Sequence, residues 1–413
     1  MLWKSSNSHK KKNLKKNITL VSLNYAPEDT AIGLYSTQWA EYLKSAGYEV
    51  TVVTAFPYYP KWEISKTYKD KKTFLKEELN GNTILRYKQY VPQNPTFLKR
   101  VIHLIDFTFG SFINILKIKN CDLVISVVPF TSSIFLGYFL KKKFNAKLWV
   151  HIQDFEFDAA LQTGVSEKKN IIFSSLFYIE KWLLSKANLA STISYSMMER
   201  LKKKTESKAY FLPNWIDEKA IDPKQSNIHR YLNSRKIKIL YSGNIGDKQD
   251  WDAFLKFCND IDPEKYDVII VGNGSKKDWL LQKTENFKNI KYYGPVPFNE
   301  LSDLLCSTDI HVLFQKTEVV DTVMPSKVLG MIASTKPSII IGNNKSEVKS
   351  IIKASKGGLF FSEYSKDVVH DLELLLSDKE RLEINGNLAR EFVIENFSKT
   401  KILNRMLDKL KQL

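Results

Sequence analysis

Short apolar runs alternate with amphipathic segments along most of this chain, and that alternation constrains the fold more than any other feature. Ile18–Asn24, Glu49–Thr54, Thr83–Tyr90, Asp122–Val128 and Lys147–Ile152 each read as a buried strand. Helical stretches lie between them, such as Leu34–Ser45, whose Leu34, Trp39, Tyr42 and Leu43 fall near a 3.6-residue period. Asn188–Ser194 and Ala209–Leu212 add two more strands. The alternation pauses over the polar, irregular residues 216–235. It restarts at Ile237–Tyr241 and continues through Asp267–Val271, Ile290–Tyr293, Ile310–Phe314, Pro337–Ile341 and Gly358–Phe361. From residue 366 to 413 the pattern is helical, with Gly386 as a break. Strand–helix–strand units build parallel sheets with right-handed crossovers. The expectation is therefore α/β, with two Rossmann-like parallel-sheet domains facing a cleft. Its parts are a basic tail (1–16), a first domain (17–215), a hinge (216–235), a second domain (236–395) and a C-terminal helix (396–413) packing back toward the first.

Charge narrows the partners. The net charge is +17, and six lysines with no acid stand in the first 16 residues. Such a balance suits a nucleotide, a nucleic acid or an anionic bilayer surface, and a basic end also serves simply as a solubilising tail. The three cysteines, Cys121, Cys258 and Cys306, are widely spaced. They form no C-x-x-C, disulfide or zinc pattern, which fits a reducing, cytoplasmic setting. The N-terminus lacks the apolar core of a signal peptide. No 18-residue uncharged apolar run is present, so no spanning helix is expected. Phe97–Lys117 is apolar on most faces. It reads as a buried crossover helix, with an interfacial membrane contact beside Lys99 and Arg100 as the alternative. Lys141–Lys143 could add to such a basic face.

The loops that follow strands carry the candidate chemistry, because ligands bind beyond the carboxyl ends of parallel strands. The first, YAPEDTAIG, is not the G-x-G-x-x-G of a nicotinamide site, yet Gly33 at the helix start lets backbone N–H groups approach a phosphate. It is equally a plain helix-entry glycine. FPYYPKW supplies Tyr58, Tyr59 and Trp62, either a sugar-stacking wall or rings packed under a neighbouring loop. HIQDFEFD puts His151, Gln153, Asp154, Glu156 and Asp158 at a strand end. His151 would act as base or hydrogen-bond donor; metal ligation is disfavoured because no second histidine lies nearby.

In the second half SGNIGDKQD places Gly243, Asn244, Gly246 and Lys248 between strand and helix. Gly272-Asn273-Gly274-Ser275 makes another tight turn. In DIHVLFQKTEVVDTVMPSKV, Pro325 opens a helix with Ser326 and Lys327 in its first turn, an anion-friendly arrangement of free N–H groups, helix dipole and ammonium.

Several of these segments, YAPEDTAIGLYS, FPYYPKW, YVPQNPTFLKR, HIQDFEFD, FLPNW, LYSGNIGDKQ and DTVMPSKV, resemble in order the retaining GT-B glycosyltransferases of family 4. The resemblance runs from about residue 20 to 330 and is closest to the colanic acid, O-antigen and capsule branch. It implies a hexosyltransferase that moves fucose, L-fucosamine or N-acetyl-L-fucosamine from a UDP- or GDP-linked donor. The implied acceptor is an undecaprenyl-diphosphate-linked saccharide at the inner face of the cytoplasmic membrane. It also implies roles. Lys248 and Lys327 pair on the donor diphosphate, Gly33 faces that diphosphate, and His151 lies near the donor sugar. Gly243, Asn244, Gly272, Asn273, Gly274, Asp321, Thr322 and Ser326 line the donor site; Tyr58, Tyr59, Trp62 and Asp154 line the acceptor crevice. No cofactor or metal is expected, since lysines take the cation's place. The family's pair of ribose-binding glutamates is absent: Asp321 or Thr322 falls near the first position and Gly330 at the second. A GT-B sugar-nucleotide epimerase and a non-enzymatic nucleic-acid-binding protein are the competing possibilities. No nucleic-acid module is recognisable, so nucleic acid is not an expected partner.

Overall fold

The computed structural model describes residues 16–29, 31–128, 131–155, 170–318 and 326–413. By its internal contacts the chain divides into one unit of residues 1–152 with 168–190 and a second of residues 153–167 with 191–413.

The first unit carries β1 (Asn17–Val21), β2 (Glu49–Ala55), β3 (Phe74–Leu79), β4 (Asn82–Tyr87), β5 (Leu123–Val128) and β6 (Lys147–Ile152), extended by β7 (Leu189–Thr192). The sheet order is β3-β4-β2-β1-β5-β6. Pairing is parallel except between β3 and β4. The strand β3 is an addition to the sequence expectation. It forms a hairpin with β4 through Asn80-Gly81, both at positive φ (50° and 75°), the turn that an Asn-Gly pair favours. Every residue of β5 is buried, as a strand covered on both faces requires.

The helix Phe97–Leu116 departs from the expected buried crossover. Only one face is buried, that of His103, Phe107, Ser111, Asn114 and Ile115. The Tyr87 ring lies against Gly110, where an added Cβ would meet it at 2.1 Å. The opposite face leaves Leu98, Ile102, Ile105, Phe109, Ile113 and Leu116 exposed.

The second unit holds the short β8 (Ala209–Phe211) and a parallel sheet of β9 (Ile237–Asn244), β10 (Tyr266–Asn273), β11 (Ile290–Tyr293), β12 (Ile310–Phe314), β13 (Ser338–Ile341) and β14 (Gly358–Phe361). Its order is β11-β10-β9-β12-β13-β14. Residues 216–235 are pinned to this unit: His229 N donates to Ser307 Oγ (2.8 Å) and its ring contacts Glu300 (3.1 Å). The C-terminal helical region breaks elsewhere than expected. Gly386 lies inside the helix Lys379–Phe397, and the breaks fall at Asp378 and Ser398, whose side chains cap the helices that follow. Gly386 is instead a point of close approach, since a Cβ there would sit 2.1 Å from the Thr335 carbonyl oxygen. From the same helix Arg390 donates to the carbonyls of Ile221 (2.7 Å), Ala333 (2.6 Å) and Glu218 (3.2 Å).

Candidate active site

The carboxyl ends of β9 and β10 lie side by side, with Gly243 opposite Gly272 and Asn244 opposite Asn273. Only glycine permits this. Gly243 has φ 132°, a Cβ on Gly272 would come within 1.9 Å of the Gly243 carbonyl oxygen, and one on Gly274 within 2.2 Å of that of Ile245. The turn after β9 is held by its own backbone and by side chains. Ile245 N donates to the Asn273 carbonyl, Gly246 N to Gln249 Oε1, and Trp251 Nε1 to the Gly246 carbonyl. Asp250 caps the helix Trp251–Asp260 by accepting from Ala253 N (3.0 Å).

Lys327 stands in the first turn of the helix Ser326–Ala333 and reaches back to this strand edge. Its ammonium donates to Tyr241 Oη (3.1 Å), lies 4.4 Å from the centroid of the Tyr241 ring, and passes close to Gly243. Among the described residues no carboxylate neutralises it. Burial pushes its pKa from 10.5 down to about 7, because the charged form loses hydration without gaining an anion. Lys248 is exposed on the neighbouring turn. Its carbonyl accepts from Lys316 N (3.1 Å), and Asp250 N donates to the Phe314 carbonyl. The turns after β9 and β12 are thereby stitched together. The structure thus brings Gly243, Asn244, Lys248, Gly272, Asn273, Gly274 and Lys327 to one edge of one sheet. Asp321 and Thr322 lie outside the described residues, as do Glu156, Asp158, Pro325 and the side chain of Ser326.

The first unit is arranged differently. Gly33 sits where a Cβ would come within 2.8 Å of Glu28. Glu28, which sequence reasoning missed, is buried and accepts from Tyr58 N (2.7 Å), Tyr59 N (2.8 Å) and Asn24 Nδ2 (2.8 Å). Desolvation raises its pKa, against the pull of those hydrogen bonds. Nothing in the local sequence sets it apart from Asp29 beside it. Arg86 was missed too, though a single arginine in the apolar run TILRY marks a buried, paired cation. It is fully buried and donates to the carbonyls of Ala55 and Ala26 and to Glu77.

Of the aromatic loop, Tyr58 is buried, its ring 4.9 Å from His103 and 5.4 Å from Trp62. Trp62 carries the Arg100 guanidinium at 5.2 Å, and Tyr59 is the exposed ring. His151, near the end of β6, is 1% exposed and meets the edge of Trp39 at 5.2 Å. Burial drives its pKa down to about 3, so the imidazole is neutral. Asp154 follows in the second unit, beside Gln153, whose amide donates to Asn214 Oδ1 (2.9 Å).

Residues 224–392 match the family model described as glycosyl transferases group 1. Among solved structures the chain is similar to sucrose-phosphate synthase from Thermosynechococcus elongatus (TM-score 0.74, 14% identity, 96% of this chain and 99% of that one covered). It is also similar to HepE of Anabaena, solved with UDP and glucose (TM-score 0.67, 10% identity, 96% and 100% covered). The fold is GT-B, and with the group 1 domain in its second half the protein is a glycosyltransferase. The sequence is 29% identical over 412 residues to the Escherichia coli K12 protein named as the colanic acid biosynthesis glycosyl transferase WcaI, covering 95% of this chain and 99% of that relative.

Proposed function

We propose that this glycosyltransferase moves a 6-deoxyhexose, of the fucose or N-acetyl-L-fucosamine kind, from a nucleoside diphosphate to a lipid-linked saccharide during assembly of a bacterial surface polysaccharide. The observation that carries the donor part is Lys327, an ammonium at a helix mouth over a glycine-lined strand edge with no carboxylate against it among the described residues. The name of the E. coli relative supports the polysaccharide setting. HepE, solved with UDP and glucose, supports a nucleotide-linked donor. An acceptor on undecaprenyl diphosphate would place the work at the inner face of the cytoplasmic membrane.

In this reading the acceptor oxygen forms a bond to C1 of the donor sugar while the C1–oxygen bond to the diphosphate breaks. The electron pair leaves with the diphosphate, where Lys248, Lys327 and the helix N-terminus stabilise the growing charge, commonly the largest catalytic contribution. The acceptor's proton passes to the departing phosphate oxygen on the same face, so configuration is retained and no protein base or metal is required. Neutral His151 hydrogen-bonds the donor sugar.

The test is a panel of UDP- and GDP-sugars, read by thermal shift and then by nucleoside diphosphate release with a lipid-linked acceptor. A fucose-type donor should raise the melting temperature and support turnover, EDTA should leave the rate unchanged, and NMR of the product should show the donor's anomeric configuration. Isomerisation of the donor without acceptor would favour an epimerase, and no response to any nucleotide would remove the donor reading.

A further inference from the structure

We propose that the outer face of the helix Phe97–Leu116, with its neighbours, is a docking surface for an anionic lipid bilayer. This stands on the first unit alone and holds whether or not the acceptor is lipid-linked. Leu98, Ile102, Ile105, Phe109, Ile113 and Leu116 recur at spacings that keep them within an arc of about 80° on an ideal helix. They are not a few stray residues: Leu98 is 68% and Phe109 74% exposed. The row is about 27 Å long at 1.5 Å per residue. Soluble chains rarely leave a continuous apolar row of this kind uncovered.

Two further helices widen the face. Phe112 packs on Phe139 of the helix Thr131–Phe144 (4.7 Å), and Tyr138 of that helix packs on Trp182 of the helix Asn170–Leu184 (5.6 Å). Phe135, Ile179 and Trp182 are exposed on them.

Charge selects the occupant. These three helices carry six bases, Lys99, Arg100, Lys141, Lys142, Lys143 and Lys181, against two acids. Neither acid offsets them outwardly. Asp106 accepts from Tyr87 Oη (3.0 Å) and Tyr90 N (2.6 Å), and Glu180 is buried. The basic end of the second helix adjoins the end of the apolar row, since Lys143 Nζ donates to the Leu116 carbonyl (3.3 Å). Lys142 lies over Tyr138 and Lys186 over Trp182. An apolar row flanked by lysines, with tryptophan and tyrosine beside them, matches the acyl boundary and anionic headgroups of a bilayer. A protein partner would need acidic groups around an apolar ridge, and a second copy would oppose like charges. No helix among the described residues is long and apolar enough to cross a membrane, so docking would be in the interfacial plane.

Flotation of the full chain with vesicles tests this, using phosphatidylglycerol–phosphatidylethanolamine against phosphatidylcholine alone. Wild type should float with the anionic vesicles at low salt and be released as salt rises. The double variant Phe109→Glu, Ile105→Glu should partition at least about tenfold less, and Lys142→Glu with Lys181→Glu should lower partition on anionic vesicles only. Unchanged melting temperature and nucleotide-induced shift would show these variants folded. Wild type left unfloated overturns the proposal. So does a Phe109→Glu, Ile105→Glu chain that floats as well as wild type, which would assign binding to the basic tail. A dimer that those two substitutions convert to monomer, without vesicle binding, would make the face an interface between copies instead.

Discussion

The two strand-to-helix turns that sequence pairs as anion sites are filled in opposite ways. Near Gly33 in the first unit, the chain supplies its own anion: the Glu28 carboxylate already takes the N–H groups of Tyr58 and Tyr59 and the Asn24 amide. Near Gly243 in the second unit, the chain supplies a cation, Lys327, with the Tyr241 hydroxyl and ring against it and no carboxylate among the described residues. A glycine beside a helix mouth is thus ambiguous until its neighbours are known. Where a buried carboxylate stands against it, the glycine serves close packing; where an ammonium stands without an anion among the described residues, the turn is open to one.

The sharpest way to break this comparison is at the cation. Lys327→Ala and Lys248→Ala are each expected to lower turnover at least about a hundredfold, the scale of losing one charge-stabilising group. Circular dichroism should be unchanged. Near-wild-type rates in both would erase the contrast.

At the other turn the effect should be on stability. Glu28→Ala leaves two backbone N–H groups and the Asn24 amide without their acceptor, at about 1–3 kcal/mol for a buried donor so stranded. A chemical-denaturation midpoint close to wild type would show Glu28 to be dispensable filler. A smaller split is expected at His151. His151→Asn should keep roughly tenfold more activity than His151→Ala, because a hydrogen bond and packing volume are lost together in alanine. Equal losses with intact folds would remove its positioning role.

The smallest effect is on pH. Without a ligand Lys327 is held at about 7, and a bound diphosphate raises that value by supplying the missing anion. Nucleotide binding should therefore take up a proton above pH 7 and weaken several-fold by pH 9. Calorimetry in buffers of differing ionisation enthalpy reads the uptake directly. Stability runs the other way: the unfolded lysine holds its proton up to its ordinary 10.5, so this group's penalty on the empty protein fades as pH rises from about 7. Proton release on binding would contradict the expected uptake.

Much of this architecture is legible in the chain because buried parallel strands must be apolar and short. Gly243, Gly272 and Gly274 are legible for a related reason, since backbones that touch exclude a Cβ. Glu28 is not, because its partners are backbone N–H groups 30 and 31 residues away, and nothing local marks their convergence. The Phe97–Leu116 helix differs from the buried crossover expected because an apolar residue reads the same whether it faces a core or lies exposed; only the sheet shows which face is spent. The Gly386 break failed similarly: the glycine answers to Thr335 across the fold rather than to its own helix.

Arg390 has a mechanical consequence. It grips the last carbonyl of the eight-residue helix whose first turn bears Lys327, and two carbonyls of the 216–235 segment besides. That helix is a lever about 12 Å long with its far end clamped. A planar guanidinium can serve three carbonyls at once; a lysine there would bring the charge but not the fixed directions. A pivot slackened by about 5° swings the opposite end by about 1 Å, the scale of misplacement at which a site can lose roughly a hundredfold in rate. Aim at the strand edge is set as much at the rear of this lever as at its tip.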